Sequence, residues 1–180
     1  DKYYIRSNWI VKFIERQRIK AIVRFMKAKS GDFILDVGCG IGYILEKVPT
    51  GILFGVDISE YILKKAYIRL GERVSLIKAN AEYLPFKDDC FDKVYCTEVI
   101  EHIHNPARLI EEIARVIKPE GSIILSIPNE KIINRLKDLL VKLHLFDFFS
   151  KEAGYDMPLR MDAEWHIHKF KLRKLKELLK

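Results

Sequence analysis

Three glycines fall within five positions of the stretch "LDVGCGIGYI", residues 35–44: Gly38, Gly40 and Gly42 directly follow an apolar run, with Asp36 two places upstream. Glycine loses more conformational freedom on folding than any other residue, so a cluster like this points to backbone that something must approach closely. A Gly-rich turn between a strand and a helix also presents amide N–H groups to an extended polar ligand. Farther along, "GVD" closes on Asp57, 19 residues after Gly38, where a carboxylate can accept hydrogen bonds from both hydroxyls of a ribose. The spacing is GxGxG; the dinucleotide fingerprint GxGxxG needs its third glycine where Tyr43 stands. An adenosine-bearing ligand therefore fits, and a nicotinamide dinucleotide fits less well.

Two further groups stand where a ligand on such a loop would reach. "NAEYLPF", residues 80–86, leaves an apolar run with Asn80 and Glu82 able to face an adenine edge, and Ala81 and Leu84 able to pack on its ring. "FDKVYCTEVIEHI", residues 91–103, places Glu98, Glu101 and His102 just past another apolar run. Histidine titrates near neutrality and is the usual general base, so His102, with Glu101 beside it, is the candidate for taking a proton from an acceptor. Orienting the turn is the competing role for His102. Glu98, Glu101 and His102 together could also hold a divalent cation, but the five histidines and three cysteines show no zinc signature, and no metal is assigned. Cys96 lacks the preceding Pro expected of a cytosine-attacking thiol and reads as a small buried residue.

These residues need a scaffold, and the chain supplies an alternating one. Apolar pairs recur at helical spacing from about 8 to 28, and Gly31 ends that run. "FILDV" then reads as a strand, "YILEKV" as a short helix and "ILFGVD" as a second strand. A helix follows from an N-cap at Ser59 to a stop at Gly71. "VSLIKA" is the third strand and "FDKVYCTEV" the fourth. Residues 105–118 form a helix with Pro106 at its start, and "GSIILSIP" is the fifth strand. Strands alternating with helices mean βαβ units with right-handed crossovers, hence a three-layer, doubly wound α/β domain around a parallel sheet. Ligands of such sheets bind beyond the carboxyl ends of the strands, where Gly38, Asp57, Asn80 and Glu98 all fall.

The series "LDVGCGIGYI", "GVDIS", "NAEYLPF", "FDKVYCTEVIEHI" and "LIEEIARVIKPEGSIILSIPN" resembles the class I S-adenosylmethionine-dependent methyltransferases. It is most similar to the small-molecule group that includes ubiquinone-biosynthesis O-methyltransferases. The resemblance covers about residues 30–129. It implies strand order 3-2-1-4-5 and a site for S-adenosyl-L-methionine. Asp36, Gly38, Cys39, Gly40 and Gly42 would cradle its methionine end. Asp57 and Ile58 would meet its ribose, Asn80, Ala81 and Glu82 its adenine, and Glu98 would close the site. Asn80 departs from the group, which commonly carries Asp there. The reaction implied is methyl transfer by in-line displacement to a small-molecule acceptor, with oxygen as the expected nucleophile. An oxidoreductase, a cofactor-binding module without turnover, and an RNA or protein methyltransferase are the alternatives.

One domain of 180 residues is expected: an N-terminal helix (1–29), a cofactor-binding core (30–129), an acceptor-side insertion or lid (130–168) and a C-terminal helix (169–180). The two further antiparallel strands usual in the family have no counterpart before Lys180. Apolar residues at 49% and charged residues at 32% exclude a disordered chain, and no apolar run is long enough to span a bilayer. Three scattered cysteines with no disulfide spacing point to the cytoplasm. The net charge of +7 sits on the flanks: residues 1–30 carry nine Lys/Arg against two Asp/Glu, whereas residues 31–129 carry eleven against fifteen. Such flanks could meet nucleic acid or an anionic membrane, but solvated helix faces are the simpler reading, and nucleic acid is not the expected partner. The basic amphipathic stretch 130–149 offers a peripheral membrane contact as an alternative to its reading as a lid.

Overall fold

The computed structural model describes residues 9–127 together with Lys142. Five strands are parallel, as the alternating pattern predicts, and lie in the order β3-β2-β1-β4-β5 that the family resemblance implies. They are β1 (Phe33–Val37), β2 (Ile52–Asp57), β3 (Val74–Lys78), β4 (Phe91–Thr97) and β5 (Ile117–Ser126). Between them run α1 (Trp9–Met26), which precedes the sheet, α2 (Tyr43–Lys47), α3 (Glu60–Leu70) and α4 (Pro106–Val116). The expected caps are present. Ser59 Oγ accepts from Ile62 N–H at the start of α3, and Gly71 closes it at φ 59°. Asn105, in front of Pro106, accepts from Arg108 N–H.

Period-two alternation along the strands separates two cores. Ile34, Leu53, Val74 and Tyr95 meet Ile19, Ile22 and Met26 of α1, Ile44 and Leu45 of α2 and Leu63, Ala66 and Leu70 of α3. Leu35, Val37, Val56, Val94 and Cys96 meet Leu109, Ile113 and Val116 of α4. Gly55 lies opposite Asp36 on β1 and lets α2 settle on the sheet. A Cβ there would stand 2.9 Å from Cys39 Sγ, Leu45 Cδ1 and Leu76 Cδ2.

The fifth strand corrects the sequence reading. It begins at Ile117, directly after α4, rather than at Gly121. Ile117 pairs with Phe91, and the next pair is Lys93 with Ser122, so residues 118–121 are an irregularity bulged out of the ladder. Pro119 lacks an N–H to give the sheet and is tolerated there because a bulge asks for none. The predicted insertion at 130–168, the C-terminal helix at 169–180 and His166 and His168 lie outside the described residues, Lys142 excepted.

Candidate functional site

A crevice of about 350 Å3 opens at the carboxyl ends of the strands. Its polar lining is Asp57 after β2, Asn80 and Glu82 after β3, and Glu98, His102 and His104 after β4. Val56, Ile58, Ala79, Ala81, Val99 and Ile103 supply apolar surface between them. A second depression of about 440 Å3 is shallower and lies on the outer flank of α3, among Leu63, Tyr67, Ile68 and Leu76, away from every predicted site residue. The candidate site is the crevice, because among the described residues it is there that titratable groups converge on strand ends.

The three glycines of the loop have three separate reasons. Gly38, at φ 71°, lines the crevice, but the space its Cβ would take is filled by Val99, whose Cγ2 would be only 2.4 Å away. Gly42, at φ 81°, receives Leu70 from the end of α3, so its missing side chain serves packing. Gly40, at φ 54°, has nothing within 4 Å of where a Cβ would stand; it alone faces open space.

The expectation that this loop offers its N–H groups to a ligand needs correction. Gly38 N–H and Cys39 N–H both donate to Val56 O, at 2.7 and 2.9 Å, and Gly42 N–H donates to Cys39 O. Gly40 N–H donates to the Asp57 carboxylate at 3.0 Å. These four donors are spent within the protein. The helix behind them, α2, is five residues long and too short to supply much dipole. Cys39 is buried, its Sγ directed to Gly40 O; burial, with Asp36 and Asp57 nearby, pushes its thiol pKa upward.

Asp57, the last residue of β2, lines the crevice. Its Oδ2 takes the Gly40 N–H and its Oδ1 the Ser59 N–H at 2.9 Å, so one carboxylate ties the Gly loop to the entry of α3. Each oxygen keeps a further lone pair for a ligand hydroxyl. Beside it, Asn80 Oδ1 accepts from Glu82 N–H at 2.9 Å, and Glu82 Oε1 accepts from Asn105 N–H at 2.6 Å. Glu82 is thus a strut between the strand-three loop and the start of α4. Arg18 of α1 pairs with Glu98 at the rim, and with Glu15 at 2.8 Å. Glu98 itself is held at φ 56°.

The 80–90 loop is fastened from behind. Glu112, 3% exposed, accepts from Leu84 N–H at 2.7 Å and from both Arg108 and Arg115. Arg115 spans the gap, donating to Leu84 O, Phe86 O and the Asp88 carboxylate. Without Arg115, Glu112 keeps Arg108 and Leu84 N–H, but the carbonyls of Leu84 and Phe86 lose their donor, at a cost of about 1–3 kcal/mol for a charge-assisted bond. Arg115→Ala is expected to lower stability by about 2 kcal/mol in urea denaturation. A change below about 0.5 kcal/mol would show the network to be surface decoration.

Five predicted residues, Asp36, Cys39, Gly40, Gly42 and Glu101, are not part of the crevice lining. Asp36, in the middle of the sheet between Gly55 and Tyr95, is 2% exposed. Burial first, and Asp57 second, push its pKa up to about 8. Glu101 is also 2% exposed, tucked under the short turn Ile100–His102. That turn leaves His102 exposed on the crevice wall while Glu101 faces inward, so the two do not act side by side on one ligand. Gly42, as above, is closed by Leu70. No three His, Cys, Asp or Glu side chains among the described residues are gathered to hold a metal ion. Val99 and Ile103 were missed. Both are apolar residues in a run read for its charges, and a small-residue slot at Gly38 is the signal that something large must fill it.

Comparison with known proteins gives a coherent answer. Residues 35–125 match the family model described as a methyltransferase domain. An uncharacterised protein of Methanocaldococcus jannaschii is 34% identical over 134 residues, covering 74% of this chain and 54% of that protein. The ubiquinone biosynthesis O-methyltransferase of Dechloromonas aromatica is 38% identical over 109 residues, covering 56% of this chain and 46% of the relative. Among solved structures, the Bacillus subtilis YcgJ protein superposes with a TM-score of 0.67 over 91% of this chain and 66% of its own, at 21% identity, which speaks to fold. The chain spans about half the length of the curated relatives it matches.

Proposed function

The chain belongs to the class I S-adenosylmethionine-dependent methyltransferase family, and on that premise we propose that it transfers a methyl group to a small-molecule acceptor at oxygen. The observation that carries this reading is the crevice itself: one carboxylate at the tip of β2, an amide and an alanine after β3, and a histidine after β4 converge on it. The residues fit the cofactor. Gly40 presents Cβ-free backbone to open space, Asp57 offers lone pairs at ribose spacing, and Ala81 and Ile58 give apolar faces for a base. S-adenosyl-L-methionine, when bound, supplies an already activated methyl group. The protein's share is to hold an acceptor atom in line, with reacting atoms about 3–3.5 Å apart, and to exclude water.

His102 is our candidate for the proton acceptor, since it is exposed on the crevice wall and needs only to reach a hydroxyl. Glu101, buried in the same turn, is then a positioning residue. Oxygen as the nucleophile is supported by the O-methyltransferase relative. The free cysteines Cys39, Cys90 and Cys96 support a cytoplasmic setting, and no described helix is long and apolar enough to cross a membrane. Calorimetric titration with S-adenosylhomocysteine, then incubation with methyl-labelled cofactor and catechols, tests the proposal. Saturable binding and labelled O-methyl product are expected. Binding of NADH in place of the nucleoside would overturn it, and binding without label on any phenol or catechol would overturn the oxygen assignment.

A further inference from the structure

The helix that precedes the sheet, α1, shows solvent two adjacent rows of side chains. Its inner side is spent: Ile19, Ile22 and Met26 pack into the core, and Arg18 reaches Glu98 at the crevice rim. On the outer side Arg16, Lys20 and Arg24 recur four residues apart, and all three are exposed. Residues four apart on a helix share one face. None of the three takes part in an ion pair or a side-chain hydrogen bond among the described residues. The helix carries one carboxylate, Glu15, and it is turned to Arg18 at 2.8 Å. One position along runs the second row, Phe13, Gln17, Ala21 and Phe25, again four apart and all exposed. Phe13 is 56% and Phe25 78% exposed. The core lies on the other side of the helix, so packing does not account for these two rings.

A cationic row beside an uncharged row with a phenyl ring at each end fits a surface that holds anionic groups above an apolar layer. Nucleic acid would match the charge, but Gln17 is the one neutral polar side chain this face offers to bases or sugars. We propose that the outer face of α1 docks the chain on an anionic lipid bilayer, with Arg16, Lys20 and Arg24 at the phosphates and Phe13 and Phe25 dipping beneath them. This surface goes beyond the methyl-transfer reading and does not depend on it. Arg18 stands two positions from both Arg16 and Lys20, hence on the far side of the same helix. A docked chain therefore holds the Glu98 rim of the crevice about one helix diameter, about 10 Å, from the headgroups.

Co-sedimentation of the full chain with lipid vesicles tests the proposal. Vesicles of phosphatidylglycerol and phosphatidylcholine in equal parts are expected to carry the protein down, phosphatidylcholine alone to leave it in solution, and high salt to release it. Each cation at such a surface contributes about fivefold in partitioning, so R16Q/K20Q/R24Q should bind about a hundredfold more weakly. Exchanging one cation for the other, as R16K/K20R/R24K, keeps the charge and should keep binding within about threefold. K47Q/K64Q/K87Q removes the same charge from other exposed sites and should weaken binding by no more than about threefold. Phe13→Ser with Phe25→Ser should weaken it about tenfold or more, with release by salt retained. Equal losses in the two triple-glutamine variants, or native-like binding by R16Q/K20Q/R24Q, would overturn the proposal. Failure of the native chain to bind the anionic vesicles would overturn it too. So would binding to a uridine oligonucleotide under salt conditions in which those vesicles are ignored, a result that assigns the face to nucleic acid instead.

Discussion

Replacing Asp57 by Ala is expected to weaken S-adenosylhomocysteine binding by about two to three orders of magnitude, read by calorimetry. Two hydrogen bonds from sugar hydroxyls to a carboxylate contribute about 1.5–3 kcal/mol each when their loss leaves a group unpaired. The same change releases the N–H groups of Gly40 and Ser59, so the Gly loop loses its tie to α3 as well as its ligand contact. Asp57→Asn separates the two effects. The amide oxygen can still take one N–H, while its NH2 opposes the other, so binding should fall less than in Asp57→Ala. An affinity within threefold of the native value in Asp57→Ala would remove the carboxylate from the site.

The second large effect concerns pH. Asp36 titrates at about 8 in the folded chain, whereas the ordinary aspartate value is 3.8. Between these values the native state holds a proton that the unfolded chain has released. Stability therefore falls as pH rises across this window, by up to about 1.4 kcal/mol per pH unit, and levels off above about 8. Asp36→Asn removes the titration while keeping the shape. Its stability relative to the native chain should grow from pH 5 to pH 8, by an amount on the order of 4 kcal/mol. Urea midpoints for both proteins across that range check it. Parallel curves would show that Asp36 is already ionised and satisfied in the fold. The groups that press on Asp36 are acidic or neutral: Asp57 raises its pKa, and Tyr95, Cys39 and Cys96 are raised by it in turn. The ion pairs of Arg18 are with Glu15 and Glu98.

Much of this architecture could be read from residue order. β2 closes on Asp57 as its apolar run predicts, Ser59 and Gly71 bracket α3, and the alternation yields parallel strands. These features are local, set by periodicity and by caps, and so survive without tertiary information. What escaped depends on distant partners. The bulge in β5 is decided by Phe91 and Lys93 of another strand, not by the residues that bulge. The roles of Gly38 and Gly42 depend on Val99 and Leu70, 61 and 28 positions away, and look identical to ligand-facing glycines in the sequence. Glu101 and His102 are neighbours in the chain but are separated by a tight turn that points one inward and the other outward. The Arg115 clasp was invisible for a similar reason: its acceptors are backbone carbonyls of Leu84 and Phe86, which carry no signature in the sequence.

The shared carbonyl of Val56 has a consequence of its own. Two consecutive N–H groups, from Gly38 and Cys39, fasten onto that single oxygen and weld the tips of β1 and β2 together before any guest arrives. A floor fixed in advance asks little reorganisation free energy of whatever settles on it. Discrimination among guests would then fall to the walls, Asn80 to Glu82 after β3 and Glu98 to His104 after β4.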